Sequence, residues 1–250
     1  MNTTRTRPAA RALLKAAALT TTVMTLLLGA RAASGQETFD VRGALRAYDL
    51  KVTMGDCGDE PEVKCSGPAR VRVFKKGARP SPPLQTLDLP NVEVYRDTAE
   101  YNPATSPGRR ALYAEEYSFV GEDFNFDGLE DLAVCNGRNG GYGGPSYTVF
   151  LFDRRSGRFA ESRALSRLNE GEYLGLFSRD PKRKRLTTLS KSGCCYHETE
   201  VYSVVNNRPV LVEEVIEDAT GAGEGSVLVT TRRKVKGRWV VNRRREKVRQ

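Results

Sequence analysis

Oxygen-bearing side chains recur at positions 1, 3, 5 and 9 of the run Asp123-Phe-Asn-Phe-Asp-Gly-Leu-Glu-Asp131: Asp123, Asn125, Asp127 and Asp131. Three carboxylates this close repel one another unless a cation sits among them. Calcium, a hard cation that takes six to eight oxygens, suits a stretch that turns every second side chain toward one centre. Gly128 at position 6 permits the sharp turn, and the carbonyl of Leu129 at position 7 can point inward. The expected ligand set for one Ca2+ is therefore Asp123, Asn125, Asp127, Leu129 and Asp131. Phe124 and Phe126 alternate with the ligands and point the other way, as core anchors. The competing reading of the same residues is an Asx-rich turn that holds no metal.

Position 12 of the loop is Val134, where an EF-hand needs a bidentate Glu, and the chain enters an apolar strand at Leu132-Ala-Val134. The loop is thus not an EF-hand. Its ion is expected to be structural, because the spacing leaves no open coordination position and no base stands near it in sequence. Directly after it comes the glycine-rich run Asn136-Gly-Arg-Asn-Gly-Gly-Tyr-Gly-Gly-Pro-Ser-Tyr147. A phosphate-cradling loop would lead into a helix and carry a Lys-Ser/Thr pair, and this run does neither. Two readings stay open: a flexible hairpin connection, or a recognition loop held by the calcium site with Tyr142, Ser146 and Tyr147 as partner contacts. Ser192-Gly-Cys-Cys-Tyr-His197 contains the chain's one histidine. Adjacent cysteines are poorly spaced for a tetrahedral zinc, and no nucleophile motif such as G-x-S-x-G occurs. The chain is expected not to be an enzyme; a hydrolase built on paired acids is the outlying alternative.

The elements that must carry these residues read as strands. Asp49–Met54, Val71–Phe74, Tyr147–Phe152, Val201–Val205 and Ser226–Thr230 are short apolar or alternating segments divided by Gly, Pro, Asn and Asp clusters. Turns are legible at Ser156-Gly157, Asn206-Asn207 and Lys236-Gly237, where glycine or asparagine supplies the positive φ that tight hairpins demand. The expected fold is all-β, with antiparallel hairpins forming a sandwich or a propeller-like domain around one calcium loop. Arg79–Pro83 reads as a rigid connector and Tyr101–Arg110 as a polar link. The expected divisions are a leader over 1–32, a β-rich segment over 33–110, a calcium-loop domain over 111–242 and a mobile basic tail over 243–250.

The leader has Arg5, Arg7, Arg11 and Lys15, an apolar run from Ala16 to Leu28 and small residues around Ala30-Arg31-Ala32, the pattern of a secretory signal peptide cut after Ala32. The apolar run is shorter than the ~20 residues a spanning helix needs, so no membrane span is expected. Export to the periplasm or beyond follows. Without residues 1–32 the net charge falls from +9 to +4, and residues 231–250 alone carry +9. The body between is mildly acidic, which removes the case for nucleic acid that a pI near 9.4 would make. In an oxidising compartment Cys57, Cys65, Cys135, Cys194 and Cys195 are disulfide candidates. Cys57 and Cys65 close a short loop and are the first expected pair; one of Cys194 and Cys195 could reach Cys135, leaving an odd thiol.

Taken together, Asp123-Phe-Asn-Phe-Asp-Gly-Leu-Glu-Asp-Leu132, Gly140-Gly-Tyr-Gly-Gly-Pro-Ser-Tyr147 and Ser192-Gly-Cys-Cys-Tyr-His197 resemble bacterial periplasmic FG-GAP/VCBS-like proteins. The resemblance covers about residues 111–215. Some members are immunity proteins that neutralise lysozyme-like effectors delivered by bacteria-killing secretion systems. The resemblance implies the calcium ligands given above and a protein partner, a lysozyme-like peptidoglycan hydrolase. Family members are often lipoproteins, and this chain lacks the lipidated cysteine. A secreted β-scaffold that binds glycan or a cell-surface protein is the alternative expectation.

Overall fold

Strands such as Arg185–Ser192 bury alternate side chains, and the register shows against what. In the computed structural model of the chain, the described residues are Met1, 36–55, 57, 64–78, 82–95, 100–101 and 117–247. The leader expected at 1–32, most of the Arg79–Pro83 connector and nearly all of the 101–110 link lie outside them. The first sheet is a meander of β1 (Glu37–Val41), β2 (Tyr48–Met54), β3 (Lys64–Lys75) and β4 (Gln85–Tyr95), each antiparallel to the next. The second comprises β5 (Glu100–Tyr101), β6 (Phe119–Glu122), β7 (Asp131–Gly137), β8 (Ser146–Asp153) and β9 (Arg158–Glu161), antiparallel except for β5 beside β6. The third runs β10 (Ser178–Asp180), β11 (Arg185–Ser192), β12 (Tyr196–Val205), β13 (Arg208–Asp218), β14 (Ser226–Val235) and β15 (Arg238–Lys247). One short helix, α1 (Arg163–Ser166), joins the second sheet to the third.

The middle sheet is covered on both faces. From β8, Phe150 and the partly buried Phe152 pack toward the first sheet with Leu50, Val52, Val71 and Val73, while Tyr147, Val149 and Leu151 pack the other way with Leu165, Phe177 and Leu186. In β7 the unbroken run Leu132-Ala-Val-Cys135 is buried throughout, because Leu132 and Val134 face one core and Ala133 and Cys135 the other. An apolar run without alternation is the mark of a strand with no wet face. The architecture is thus all-β, antiparallel and sandwich-like, with layers stacked rather than blades set around an axis. The first core joins residues on either side of position 110, so the front segment and the segment that follows share one hydrophobic interior.

All three expected hairpin turns join paired strands, β8 to β9, β12 to β13 and β14 to β15. Asn206 and Asn207 have φ of 51° and 61°, as a two-residue turn requires. The expected release of the chain after Asn242 is corrected: β15 continues to Lys247, paired with Ser226. Both faces of β15 are exposed, so it needs no apolar stripe, and backbone pairing tolerates Arg243, Arg244 and Arg245 there. Among the described residues no helix is long and apolar enough to cross a membrane.

Candidate functional site

The Asp123–Asp131 loop links β6 to β7 and is wound by its own side chains. Asp123 accepts the N–H groups of Asp127 and Gly128 at 3.0 Å each, Asn125 that of Asp127 at 3.2 Å, and Asp127 that of Leu129 at 2.8 Å. Phe126 and Gly128 reverse the chain with φ of 62° and 88°. Phe124 is buried and meets Phe177 edge to face, with centroids 5.5 Å apart. Asp131, the first residue of β7, is fully buried; its two oxygens accept the N–H groups of Phe124 and Phe152 at 2.8 Å. Burial pushes its pKa up to about 7 against those two hydrogen bonds, and the charges of Asp127 and Asp123 add to the rise. A buried acid in the field of two others is the electrostatic condition that a bound cation relieves. The expected donors are all oxygen, three carboxylates, an amide and the Leu129 carbonyl, the type a hard cation such as calcium takes. In this structure the three carboxylates accept backbone N–H groups and do not close to within 4.8 Å of one another.

The loop is clamped from two sides. Glu130 accepts Arg46 N–H at 2.8 Å, Arg46 Nε at 3.0 Å and Ala47 N–H at 3.4 Å, so the turn between β1 and β2 closes over the loop. From the third sheet, Asn125 Nδ2 donates to Asn207 Oδ1 at 3.0 Å, and Lys184 reaches the carbonyl of Phe126 at 3.5 Å. Arg46, Lys184 and Asn207 are distant in sequence, and no local signal marks them.

The tyrosine turn lies at the other end of β7. This strand has 7 residues, which at ~3.3 Å per residue sets Gly137 roughly 20 Å from Asp131. Adjacency in sequence therefore does not bring the Asp123–Asp131 loop to the glycine-rich run. What supports the run is the segment after α1 and the β11–β12 turn. Gly141 N–H donates to Tyr173 O at 2.8 Å, and Gly193 N–H donates to the Tyr142 hydroxyl at 2.6 Å. Lys191 Nζ sits 4.9 Å from the Tyr142 ring centroid. Tyr142 has left-handed backbone angles, φ 56° and ψ 29°, and is 68% exposed.

Of the three expected partner contacts, the structure leaves Tyr142 at the surface and buries the other two. Ser146 donates to Asn136 Oδ1 at 2.6 Å and accepts from Asn139 N–H at 3.2 Å. Tyr147 packs in the second core, and its N–H donates to Asn169. They are adjacent residues at the start of β8, on opposite faces of a sheet that is covered on both sides, and they hold the turn from behind. Cys57 and Cys65 form the expected disulfide. The expected bridge from Cys135 to Cys194 or Cys195 is corrected: Cys194 and Cys195 are bonded to each other in the β11–β12 turn beside Gly193. Cys135 is a core thiol outside both disulfides. The pairing also takes two of the thiols from any zinc site. A cluster that sequence reasoning missed is Glu198, Glu200 and Glu214, one oxygen of each lying within 4.8 Å of the other two. Its signal was present in Glu198-Thr-Glu-Val-Tyr202, an acid at every second residue of a strand.

No protein-family model matches the chain, and no curated protein does. Among solved structures, the chain is similar to one described as a Xanthomonas type IV secretion system related protein, with a TM-score of 0.66 and 28% identity. The match covers 84% of this chain and 93% of that one, well beyond residues 111–215, so the likeness extends past the segment that carries the three motifs.

Proposed function

We propose that this chain is an exported, calcium-stabilised binding protein that inhibits a lysozyme-like peptidoglycan hydrolase, as an immunity protein does, with Tyr142 at the centre of the contact. The reading is carried by the likeness, over 84% of the chain, to a type IV secretion system related protein. The disulfides agree with an oxidising compartment. Tyr142 offers a large, exposed ring whose freedom is already spent, between the Gly193 N–H and Lys191. Rigid tyrosines of this kind dominate interfaces. The acidic body complements a basic hydrolase and speeds encounter. Calcium at Asp123, Asn125, Asp127, Leu129 and Asp131 would stabilise the scaffold, not take part in the contact.

The test is inhibition of a lysozyme-like hydrolase recovered on the mature protein from periplasm. Hydrolysis of peptidoglycan is expected to stop at equimolar inhibitor, and Tyr142→Ala to weaken inhibition ~30-fold or more at unchanged melting temperature. Full activity of every recovered hydrolase in the presence of excess protein would remove the proposal. If soluble muropeptides bind at Tyr142 instead, the glycan-binding alternative stands.

A further inference from the structure

β11, β12 and β13 bring three acids and a hydroxyl to one face of the third sheet. Glu200 lies directly across from Glu214 on one side and from Thr188 on the other. Residues directly opposite share a face, and Glu198, two residues along, shares it with Glu200. One oxygen each from Glu198, Glu200 and Glu214 lies within 4.8 Å of the other two. Arg232 Nη1 pairs with both oxygens of Glu214, at 2.7 and 3.1 Å. The hydroxyls of Tyr173 and Tyr202 both donate to Oε2 of Glu200, at 2.7 and 2.8 Å. Three carboxylates against this guanidinium leave two negative charges over, with Glu172 also near enough to act on Glu198. Burial first, then the charges of Glu200, Glu214 and Glu172, hold the Glu198 carboxyl above its ordinary range.

Charge crowding alone does not make a site. The independent pointer is Thr188, which is 3% exposed and whose Oγ1 has no hydrogen-bond partner. A buried hydroxyl left unsatisfied costs ~1–3 kcal/mol, and native proteins seldom leave one so. Its position directly across from Glu200 puts it on the same sheet face as the three carboxylates.

We propose that Glu198, Glu200 and Glu214, together with the Thr188 hydroxyl, form a second cation site that takes a hard divalent ion, calcium in the first instance. All donors are oxygen, which disfavours soft metals. Two oxygens on opposite sides of a calcium ion at ~2.4 Å are about 4.8 Å apart, so the trio spans no more than one coordination sphere. A divalent ion also cancels the two charges that Arg232 leaves. The site shares no residue with the Asp123–Asp131 loop and stands or falls apart from it. It does touch the recognition turn: Tyr173, hydroxyl-bonded to Glu200, accepts the N–H of Gly141 through its carbonyl.

The experiment uses the mature chain stripped of metal, with Asp127→Ala to disable the loop. Calorimetric titration with CaCl2, and separately with MgCl2, reads occupancy of the second site. Terbium emission excited through tyrosine reads its place, because Tyr173 and Tyr202 sit on Glu200. About one ion per chain is expected to bind the Asp127→Ala protein, with terbium emission that calcium quenches by displacement. Adding Glu198→Gln is expected to weaken binding at least about tenfold, and Thr188→Val to weaken it less. Glu198 lies outside the Arg232 pair, so the Gln variant should fold, and without cation it should melt higher than its parent. Binding of either ion that Glu198→Gln removes supports the site. No binding by calcium, magnesium or terbium, or binding that Glu198→Gln leaves unchanged, overturns it. Should Asp127→Ala not fold, the same reading comes from Glu198→Gln alone: a stoichiometry lowered by one supports the site, and an unchanged one overturns it.

Discussion

Cation-free protein is expected to lose stability as the pH rises from 4 to 8, and calcium is expected to restore it at the upper end. The group responsible is Asp131, buried at the head of β7, with its pKa pushed up to about 7 by burial and by Asp127 and Asp123. An acid whose folded pKa lies above its unfolded value holds more protons folded than unfolded between the two. Stability therefore falls with pH across that interval. The contribution is fully present below the ordinary carboxylate range and is lost as the pH passes 7. The full span is on the order of 4 kcal/mol, a large part of what a domain has to lose. Glu198, also raised by burial and by its neighbouring acids, contributes with the same sign, and Glu198→Gln separates the two. Asp153, Asp180 and Asp218 are lowered, so their contribution is lost only as the pH falls through the acid range, outside the window.

Calcium among Asp123, Asn125 and Asp127 would favour the ionised form of Asp131 and flatten the slope. Urea unfolding at pH 5 and pH 8, in chelator and in excess calcium, measures both effects. Asp127→Ala removes a repelling charge together with a ligand. It should lose the part of the calcium response that belongs to the loop, leaving only the part that Glu198→Gln removes, and show a shallower slope in chelator. Asp131→Asn should abolish the slope from this group. It also costs ~1–3 kcal/mol, because its amide nitrogen cannot accept one of the N–H groups of Phe124 and Phe152. A stability curve that neither pH nor calcium moves would leave the loop as an Asx-rich turn closed by its own hydrogen bonds.

Gly121→Ala is expected to destabilise the fold by more than about 3 kcal/mol, the upper range for overpacking. A Cβ on Gly121 would lie 1.8 Å from the Ala44 carbonyl oxygen and 2.9 Å from Leu45 Cδ2. Neither neighbour can yield cheaply. Leu45 is in the first core, and the backbone just beyond it is tied to Glu130 through the N–H groups of Arg46 and Ala47. Relief would move the turn between β1 and β2 off the loop, so calcium affinity should drop along with stability. Gly55→Ala is the control, since a Cβ there meets nothing within 4 Å and should change stability little. Chemical denaturation of both variants checks this; a Gly121→Ala protein as stable as the Gly55→Ala control would mean that β6 and the β1–β2 turn do not make this contact.

Local chemistry alone determined much of this protein. Alternating Val and aromatic residues specify strands, Asn206-Asn207 and Ser156-Gly157 specify hairpins, and Cys57 finds Cys65 across a short loop, because each depends on neighbours within a few residues. The nine-residue loop is legible for the same reason. What the tertiary structure alone decided is which motifs meet. β7 is an extended spacer of 7 residues, so it parts the Asp123–Asp131 loop from Tyr142, though the two are near in sequence. The β11–β12 turn, some fifty residues on, comes back to Tyr142 through Gly193 and Lys191. Cover on both faces of the middle sheet, not residue type, buried Ser146 and Tyr147, while Tyr142 lies in the turn before β8 and stays outside. The clamp of Glu130 on Arg46 and the assembly of Glu198, Glu200 and Glu214 with Thr188 arise only when strands from separate hairpins are laid side by side. Sheet register sets those distances, and register is a property of the packed whole.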